Sequence, residues 1–573
     1  MNLQMQMKRF QRPETSRHIN VLPFDDDGGT QLPVVNRLGW TICCLLIGLC
    51  LISGPAFGRD LKQWVTMFNA DDQGLQGDIP NDQALAFMEK NVPRFDCPDE
   101  ELERTYYFRW WSYRKHIRKT PEGYVVTVFL PDIPWARKFN TTCCAAGHHF
   151  REGRWLHDTK ILSDYARFWF GGGGNPRQYS FWAADSILQF CNVTGDHTLA
   201  IKLLDDLVAN YHAWEKKRLC DDGLFWQTDD RDGMEMSVGG TGKRPTINSY
   251  MYGDARAISI IAAMAKRPEL QKEFSAKATA LRNLINGKLW DDSDHFYKTM
   301  IFSPPNRNWY AGKIGQLVKV RELQGYTPWY FEIPEPGSSH QIAWRQLMDP
   351  KGFWAPYGLT TAEQRDPGFK ISYEGHECQW NGPSWPYSTS VTLTAMANVL
   401  QDYPAPLPIT KADYLKTLQT YAYSQRRKTE DGKEVCWIDE DLNPLTGDWI
   451  ARTMMIRQRQ EAIKKGRKIR PGQFIHERGK ENNHSSFCDL VISGLMGLQP
   501  RADDELRIRP LLPAGQWAWC RLDNVLYHGH ILTIQWDRDG SRYHNGAGFR
   551  ILVDGKLLCA SKTPGNLTLR LPR

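Results

Sequence analysis

The sequence predicts a mainly α chain, a toroid of paired helices completed by a small C-terminal antiparallel β module. Three observations predict it. Amphipathic helical segments recur in pairs, long loops rich in Gly, Trp and acidic residues separate the pairs, and the hydrophobic period changes to two after about residue 499. Helix pairs repeated at intervals of some tens of residues bury their apolar faces on their neighbours, and closing the series gives a ring of inner and outer helices.

Residues 1–58 read as a targeting segment. An apolar run over 38–52 follows Arg37 and precedes Ala56-Phe57-Gly58, a small-x-small cleavage site. The run is short for a spanning helix. The long stretch upstream, with Asp25, Asp26 and Asp27, leaves both a cleaved signal peptide and an uncleaved anchor open. Export to the periplasm or the extracellular space is expected either way, with membrane contact only through such an anchor. Residues 59–82 read as a polar linker.

A catalytic helical domain is expected over 83–499. Its first helix, 99–118, opens on Pro98-Asp99-Glu100-Glu101, a capped and acidic first turn. Segments 178–191 and 197–218 form a pair, joined by Val193-Thr194-Gly195-Asp196. A second pair is 248–265 and 269–289, broken at Arg267-Pro268; a third is 388–401 and 411–427, split by Pro404, Pro406 and Pro408. Segment 484–498 closes the series, with Phe487, Leu490, Val491, Leu495 and Leu498 at helical spacing. Residues 500–573 read as a β-sandwich-like module. Alternating strands at 506–511, 529–536, 549–553 and 567–571 are punctuated by Asp539-Gly540 and Asp554-Gly555. The loops 171–177, 229–243, 326–340 and 375–386 are expected to gather on one rim, because long ordered loops in a compact domain usually carry function.

Composition narrows the class. At 24% charged and 41% hydrophobic residues the 573-residue chain is ordinary globular material, too long for one small core. Its 22 Trp admit two explanations, stacking on pyranose faces or filling a wide helical core. Much of the net charge of +7 sits at 457–470, in Arg457, Arg459, Lys464, Lys465, Arg467, Lys468 and Arg470. No aromatic residue interrupts that run, so it reads as a solvated inserted loop and no nucleic-acid partner is expected. The 13 Cys show neither C-x-x-C pairs nor zinc-like spacing. Some disulfides and buried free thiols are both compatible with the sequence.

Chemistry concentrates in two acidic loops, Asp229-Asp230-Arg231-Asp232-Gly233-Met234-Glu235-Met236-Ser237 and Trp437-Ile438-Asp439-Glu440-Asp441-Leu442-Asn443-Pro444-Leu445-Thr446-Gly447. Opening an acetal at neutral pH needs one carboxylic acid to protonate the leaving oxygen and a second carboxylate on the opposite face. Between them, Gln379-Trp380-Asn381-Gly382-Pro383-Ser384-Trp385 offers aromatic walls around a Gly-Pro turn.

Together these segments resemble the motifs of inverting (α/α)6-barrel glycosidases, the mannosylglycerate hydrolase-like and glycoside hydrolase family 63-like group. Asp-Gly-Met-Glu-Met-Ser matches the (S/D)-G-(M/W)-(D/E)-x-S segment, which makes Glu235 the general acid. Glu440 to Gly447 looks like E-N-Y-x-P-x-T-G, whose leading Glu is the general base. Residues 379–385 are similar to the W-R-G-P-x-W substrate motif, with Asn381 standing where the group has Arg. The acid is Glu rather than Asp. The three motifs keep the group's order and, with the β module, span roughly residue 80 to the end.

With export expected from the N-terminal segment, the resemblance implies a hydrolase that removes terminal sugars from an oligo- or polysaccharide by single displacement, with the carboxyl groups about 6.5–9.5 Å apart to admit a water. Glu235 then has to be protonated near neutral pH, through burial or a neighbouring carboxylate such as Asp232. Glu477 is the alternative base; Glu440 is preferred because only it precedes Asn-Pro-Leu-Thr-Gly. Arg177, Trp182, Asp232, Glu377, Trp380, Asn381 and Trp385 are the expected substrate contacts. No metal ligand set and no required cofactor are expected; a structural Ca²⁺ is compatible with the chain, though no loop has the spacing that demands it. Two other classes stay open. One is a polysaccharide lyase using His148, His149 and Arg177; the other is a glycan-binding protein without catalysis.

Overall fold

A computed structural model describes residues 60–572 apart from 73, 76, 304–312 and 470–477. The expected targeting segment and Glu477 lie outside the described residues. No described helix is long and apolar enough to cross a membrane. The chain from Phe57 onward forms one compact unit, rich in helix and ending in antiparallel sheet.

The stretch expected as a linker is ordered instead. Helix α1 (Leu61–Asp71) starts at Asp60, whose side chain accepts from the Gln63 N–H while Gln63 reaches back, a capping box. Trp64, Val65 and Phe68 lie buried on one face of it. The polar residues between them hid that stripe from a reading by composition.

Helix α2 (Glu100–Lys115) forms as its sequence predicts. Asp99 accepts from Leu102 N at 3.0 Å, three acids fill the first turn, and Arg114 and Lys115 sit in the last. Helices α3 (Ala146–Gly153) and α4 (Lys160–Phe170) were not anticipated. Helices α5 (Ala183–Thr194), α6 (Leu204–Arg218), α7 (Pro245–Met264), α8 (Pro268–Leu284), α9 (Pro386–Asp402) and α10 (Lys411–Ser424) follow the predicted pairs with shifted ends. Three of them open on Pro, which suits the first turn because its missing N–H has no intrahelical partner there. Helix α7 packs on α5, α6 and α8, and α9 packs on α10. Helix α10 returns to α2: Thr105 Oγ1 donates to the Ala422 carbonyl at 3.1 Å, and Arg109 Nη1 to the Tyr421 hydroxyl at 3.2 Å.

Most of the tryptophans serve the core. Trp64, Trp110, Trp111, Trp155, Trp182, Trp329 and Trp344 are fully buried. Every described cysteine is a free thiol. The first part of the basic run is helical: Arg457, Arg459 and Lys464 lie on the exposed side of helix α11 (Ile450–Lys464), anchored by buried Ile450, Ala451, Met454 and Met455, while Lys465, Arg467 and Lys468 follow its end.

Near the end, Glu152 of α3 accepts the backbone N–H groups of Phe487, Cys488 and Asp489 at 2.9–3.1 Å. A carboxylate there satisfies donors that a helix start leaves unpaired. It anchors the closing helical turn, Leu490–Leu495, which is wound as a π-helix.

Two antiparallel sheets complete the chain. Strands β1 (Arg94–Asp96), β4 (Trp519–Tyr527), β5 (His530–Asp537), β6 (Gly548–Val553) and β7 (Lys556–Ser561) pair in that order. Strands β2 (Leu498–Gln499), β3 (Glu505–Ile508) and β8 (Leu567–Arg570) pair beside them. Asp554 and Gly555 both have positive φ between the paired Val553 and Lys556, the turn that a twisted hairpin favours. Strand β4, the longest, was not anticipated; its register shifts at Asp523-Asn524, with Asn524 at φ 57°. The expected boundary at residue 500 is crossed by β1, which lies between α1 and α2 in the chain yet joins this sheet, with Phe95 opposite Leu522.

Candidate active site

Backbone hydrogen bonds tie the three motif loops together. Trp380 N donates to the Glu235 carbonyl at 3.0 Å, while Ser384 and Leu442 exchange two bonds of 2.8 and 2.9 Å. Segments far apart in sequence thus meet through pairing that no local pattern announces.

They line a cavity of about 260 Å³ that contains Asp232, Glu235, Glu377, Trp380, Trp385 and Glu440 among the expected residues. Trp380, Trp385 and Tyr387 stack in series, with ring centroids 4.3 and 4.4 Å apart. Trp135 also lines the cavity; it is 39% exposed, unlike the core tryptophans, and Arg478 lies over its ring at 5.2 Å.

Glu235 follows Gly233, whose φ of 72° turns the chain, and precedes Met236, itself at positive φ. Burial raises the Glu235 carboxyl to about 7, against donation from its own backbone N–H and from Trp380 Nε1 at 3.1 Å; the nearby Glu440 charge adds to the rise. The like-charge neighbour is therefore Glu440, not Asp232. Asp232 is buried and committed to Arg244 Nε at 2.8 Å and to the Thr246 hydroxyl, while its Oδ1 has no partner among the described residues.

Glu440 is 9% exposed. Its Oε2 accepts from Arg478 Nη2 at 3.1 Å and from the Cys378 thiol at 2.7 Å. Arg478 is held in turn by Glu377, Nη1 to Oε1 at 2.7 Å. Behind Glu440, Asp439 is fully buried, raised to about 7 by that burial, and accepts the Glu440 N–H at 2.7 Å. Burial holds His484, on the same cavity, neutral with a pKa of about 3.

Arg177, Trp182 and Asn381 do not line the cavity. Arg177 donates to Asn210 at 2.7 Å. Trp182 is buried behind Tyr387, so close to Gly147 that a Cβ there would fall 2.2 Å from its ring. Asn381 accepts the Lys370 N–H through its carbonyl. His148 and His149 are buried; His148 bonds Ser486 Oγ, and His149 Nε2 lies 2.6 Å from the Asn483 carbonyl. Cys378, Arg478, Trp135 and His484 were missed. The segment containing Arg478 drew attention only through Glu477, and Trp135 carried no motif.

A carboxyl that keeps its proton to about neutral pH and a second carboxylate bound to a guanidinium share one aromatic-walled cavity, an arrangement suited to acid–base opening of an acetal. The class this defines agrees with the matches to known proteins. The chain belongs to the mannosylglycerate hydrolase MGH1-like glycoside hydrolases, whose domain matches residues 138–454. Residues 499–558 match the C-terminal domain of glycosyl hydrolase family 65.

Among solved structures, a protein described as a sialidase is 39% identical with a TM-score of 0.78 over 88% of this chain. The chain spans only 44% of that protein's length. The family 63 mannosylglycerate hydrolase from Thermus thermophilus in complex with Tris is 14% identical, with a TM-score of 0.43 over 62% of this chain and 100% of its own. A family 78 rhamnosidase of Bacillus sp. GL1 is 13% identical, with a TM-score of 0.49 over 81% of this chain and 42% of its own.

Proposed function

We propose that the protein is an exported glycoside hydrolase that removes one terminal sugar at a time by single displacement with inversion. Glu235 is the general acid and Glu440 the general base. The observation that carries this reading is the pairing of Glu235, raised to about 7 in its buried setting, with Glu440 across the same cavity. Exo action is supported by size: about 260 Å³ lies at or below the small end of ligand pockets, roughly 300–1,000 Å³, and suits one ring. The helical domain is read as an (α/α)6 toroid, a closure supported by the return of α10 onto α2.

The terminal sugar is read as neutral. Asp232, Glu235, Glu377 and Glu440 face the cavity, and Arg478, the one lining arginine among the described residues, is already committed to two of them. A sialoside carboxylate would meet an acidic wall without a free arginine or lysine among the described residues. The lyase reading loses its support, because His148 and His149 are enclosed and pushed down in pKa by burial.

The test is cleavage of a panel of aryl glycosides and plant oligosaccharides, a sialoside included, with the product anomer followed by NMR. The first-formed sugar is expected to have the anomeric configuration opposite to the substrate. A retained configuration would reject single displacement, and binding without cleavage across the panel would favour a glycan-binding protein. In Glu235→Gln, kcat is expected to fall at least 10²-fold with substrate still bound.

A further inference from the structure

We propose that Cys378 is a positioning residue for Glu440, its thiol donating to Oε2 so that, with Arg478, it fixes the carboxylate and leaves Oε1 for the attacking water. The inference rests on the reading of Glu440 as the base and assigns a role to a side chain that the family motif does not include.

The geometry carries it. Sγ lies 2.7 Å from Glu440 Oε2, the oxygen that Arg478 Nη2 also reaches at 3.1 Å. Oε1 has no hydrogen-bond partner among the described residues, so the two donors converge on one oxygen of the carboxylate and leave the other unbonded by those residues. Consecutive residues support the same group by different routes: Glu377 holds Arg478 at 2.7 Å, and Cys378 contacts Glu440 directly. The loop that presents them is braced within itself. His376 Nδ1 accepts the Cys378 N–H at 3.0 Å, and Gln379 Nε2 donates to the Glu374 carbonyl at 2.9 Å.

A carboxylate with one free oxygen could otherwise swing about its terminal bond, since that torsion is broad and roughly two-fold. Two donors on one oxygen remove the freedom, and donors to the charged form favour it. The same contact argues against Cys378 as a nucleophile. A thiolate there would place a second anion against Glu440, and burial together with that charge pushes the thiol well above its ordinary pKa. The proton stays on sulfur. The other titratable and charged groups around Glu440 are Arg478, Asp439, Asp441, Glu235, Cys144 and His484. Arg478 supplies the positive charge among them, and Cys378 adds a donor without adding charge.

The test compares wild type, Cys378→Ala and Cys378→Ser on one cleavable substrate, following kcat/KM against pH and the anomer of the product. Removing the donor is expected to lower kcat/KM by about 10²-fold, mainly through kcat, as for a displaced catalytic group. The acidic limb of the profile is expected to move to higher pH, because the charged base has lost a hydrogen bond. Serine keeps an O–H donor and is expected to restore most of the rate and the limb. An unchanged acidic limb in Cys378→Ala would reduce the residue to packing and overturn the proposal. So would a glycosyl adduct on Cys378 with retention in wild type, which would also overturn single displacement. Inversion in wild type with no response to either substitution would sink this proposal alone. If the alanine variant does not fold, the S–H stretching band decides, taken as wild type minus Cys378→Ser. It is expected to show a strongly bonded thiol that loosens in Glu440→Gln, and a band indifferent to Glu440 would overturn the assignment.

Discussion

Trp380 has two tasks at the level of single atoms. Its indole forms one end of the stacked wall, and its Nε1–H reaches the Glu235 carboxylate at 3.1 Å. A donor to the charged form lowers a carboxyl pKa, so Trp380 holds Glu235 below what burial alone would impose. Activity is expected to fall as pH rises through about 7, where Glu235 loses its proton. In Trp380→Phe the wall is kept and the donor removed, so the basic limb of kcat/KM is expected to move to higher pH; a limb shifted downward would contradict the assignment. Glu235 and Glu440 were legible because each sits in a motif with fixed neighbours. Arg478 was not, because a guanidinium acting through another residue leaves no local pattern, and its partner Glu377 lies a hundred residues upstream.

At the scale of elements, a small residue secures the base loop. A Cβ on Gly479 would fall 1.6 Å from Asp439 Oδ1, the atom that accepts the Glu440 N–H. Gly479→Ala therefore has to displace either Asp439 or the turn carrying Arg478. It is expected to cost about 1–3 kcal/mol of stability, the range for overpacking, with a larger loss of kcat than of substrate affinity. Calorimetry beside steady-state kinetics checks this; an alanine variant with wild-type kcat would show that the loop adapts freely. Elements with strong local signals were readable, such as α2 with its Asp99 cap and the Asp554-Gly555 hairpin. Those whose apolar stripe is interrupted by charge were not. Helix α1 passed as a linker and the second half of α11 as part of a solvated loop, because only tertiary packing shows which residues of each helix turn inward.

For the whole molecule, stability should depend on pH through buried carboxyls. Burial raises Glu103 to about 8, even though Trp64 Nε1 and Cys97 N donate to it. A carboxyl raised in the folded state binds more protons there than when unfolded, so its contribution is complete below about 4.5 and is lost as pH rises through 8. Tm is expected to decline between pH 5 and pH 8, with a shallower decline in Glu103→Gln; equal slopes would show that Glu103 ionises normally. The helix pairs and the β module were both predictable as patterns. Their interlocking was not, because pairing of β1 with β4 joins segments over four hundred residues apart. Truncation after residue 500 is expected to give insoluble protein rather than an independent helical domain, as measured by soluble yield and gel filtration.

That pairing also constrains the order of synthesis. A ribosome making this chain emits the strand Arg94–Asp96 more than four hundred residues before its partner Trp519–Tyr527, and its edge stays unsatisfied over that interval. Over that interval the nascent polypeptide therefore offers an open template for strangers, and a nonsense codon before Trp519 leaves that edge exposed for good.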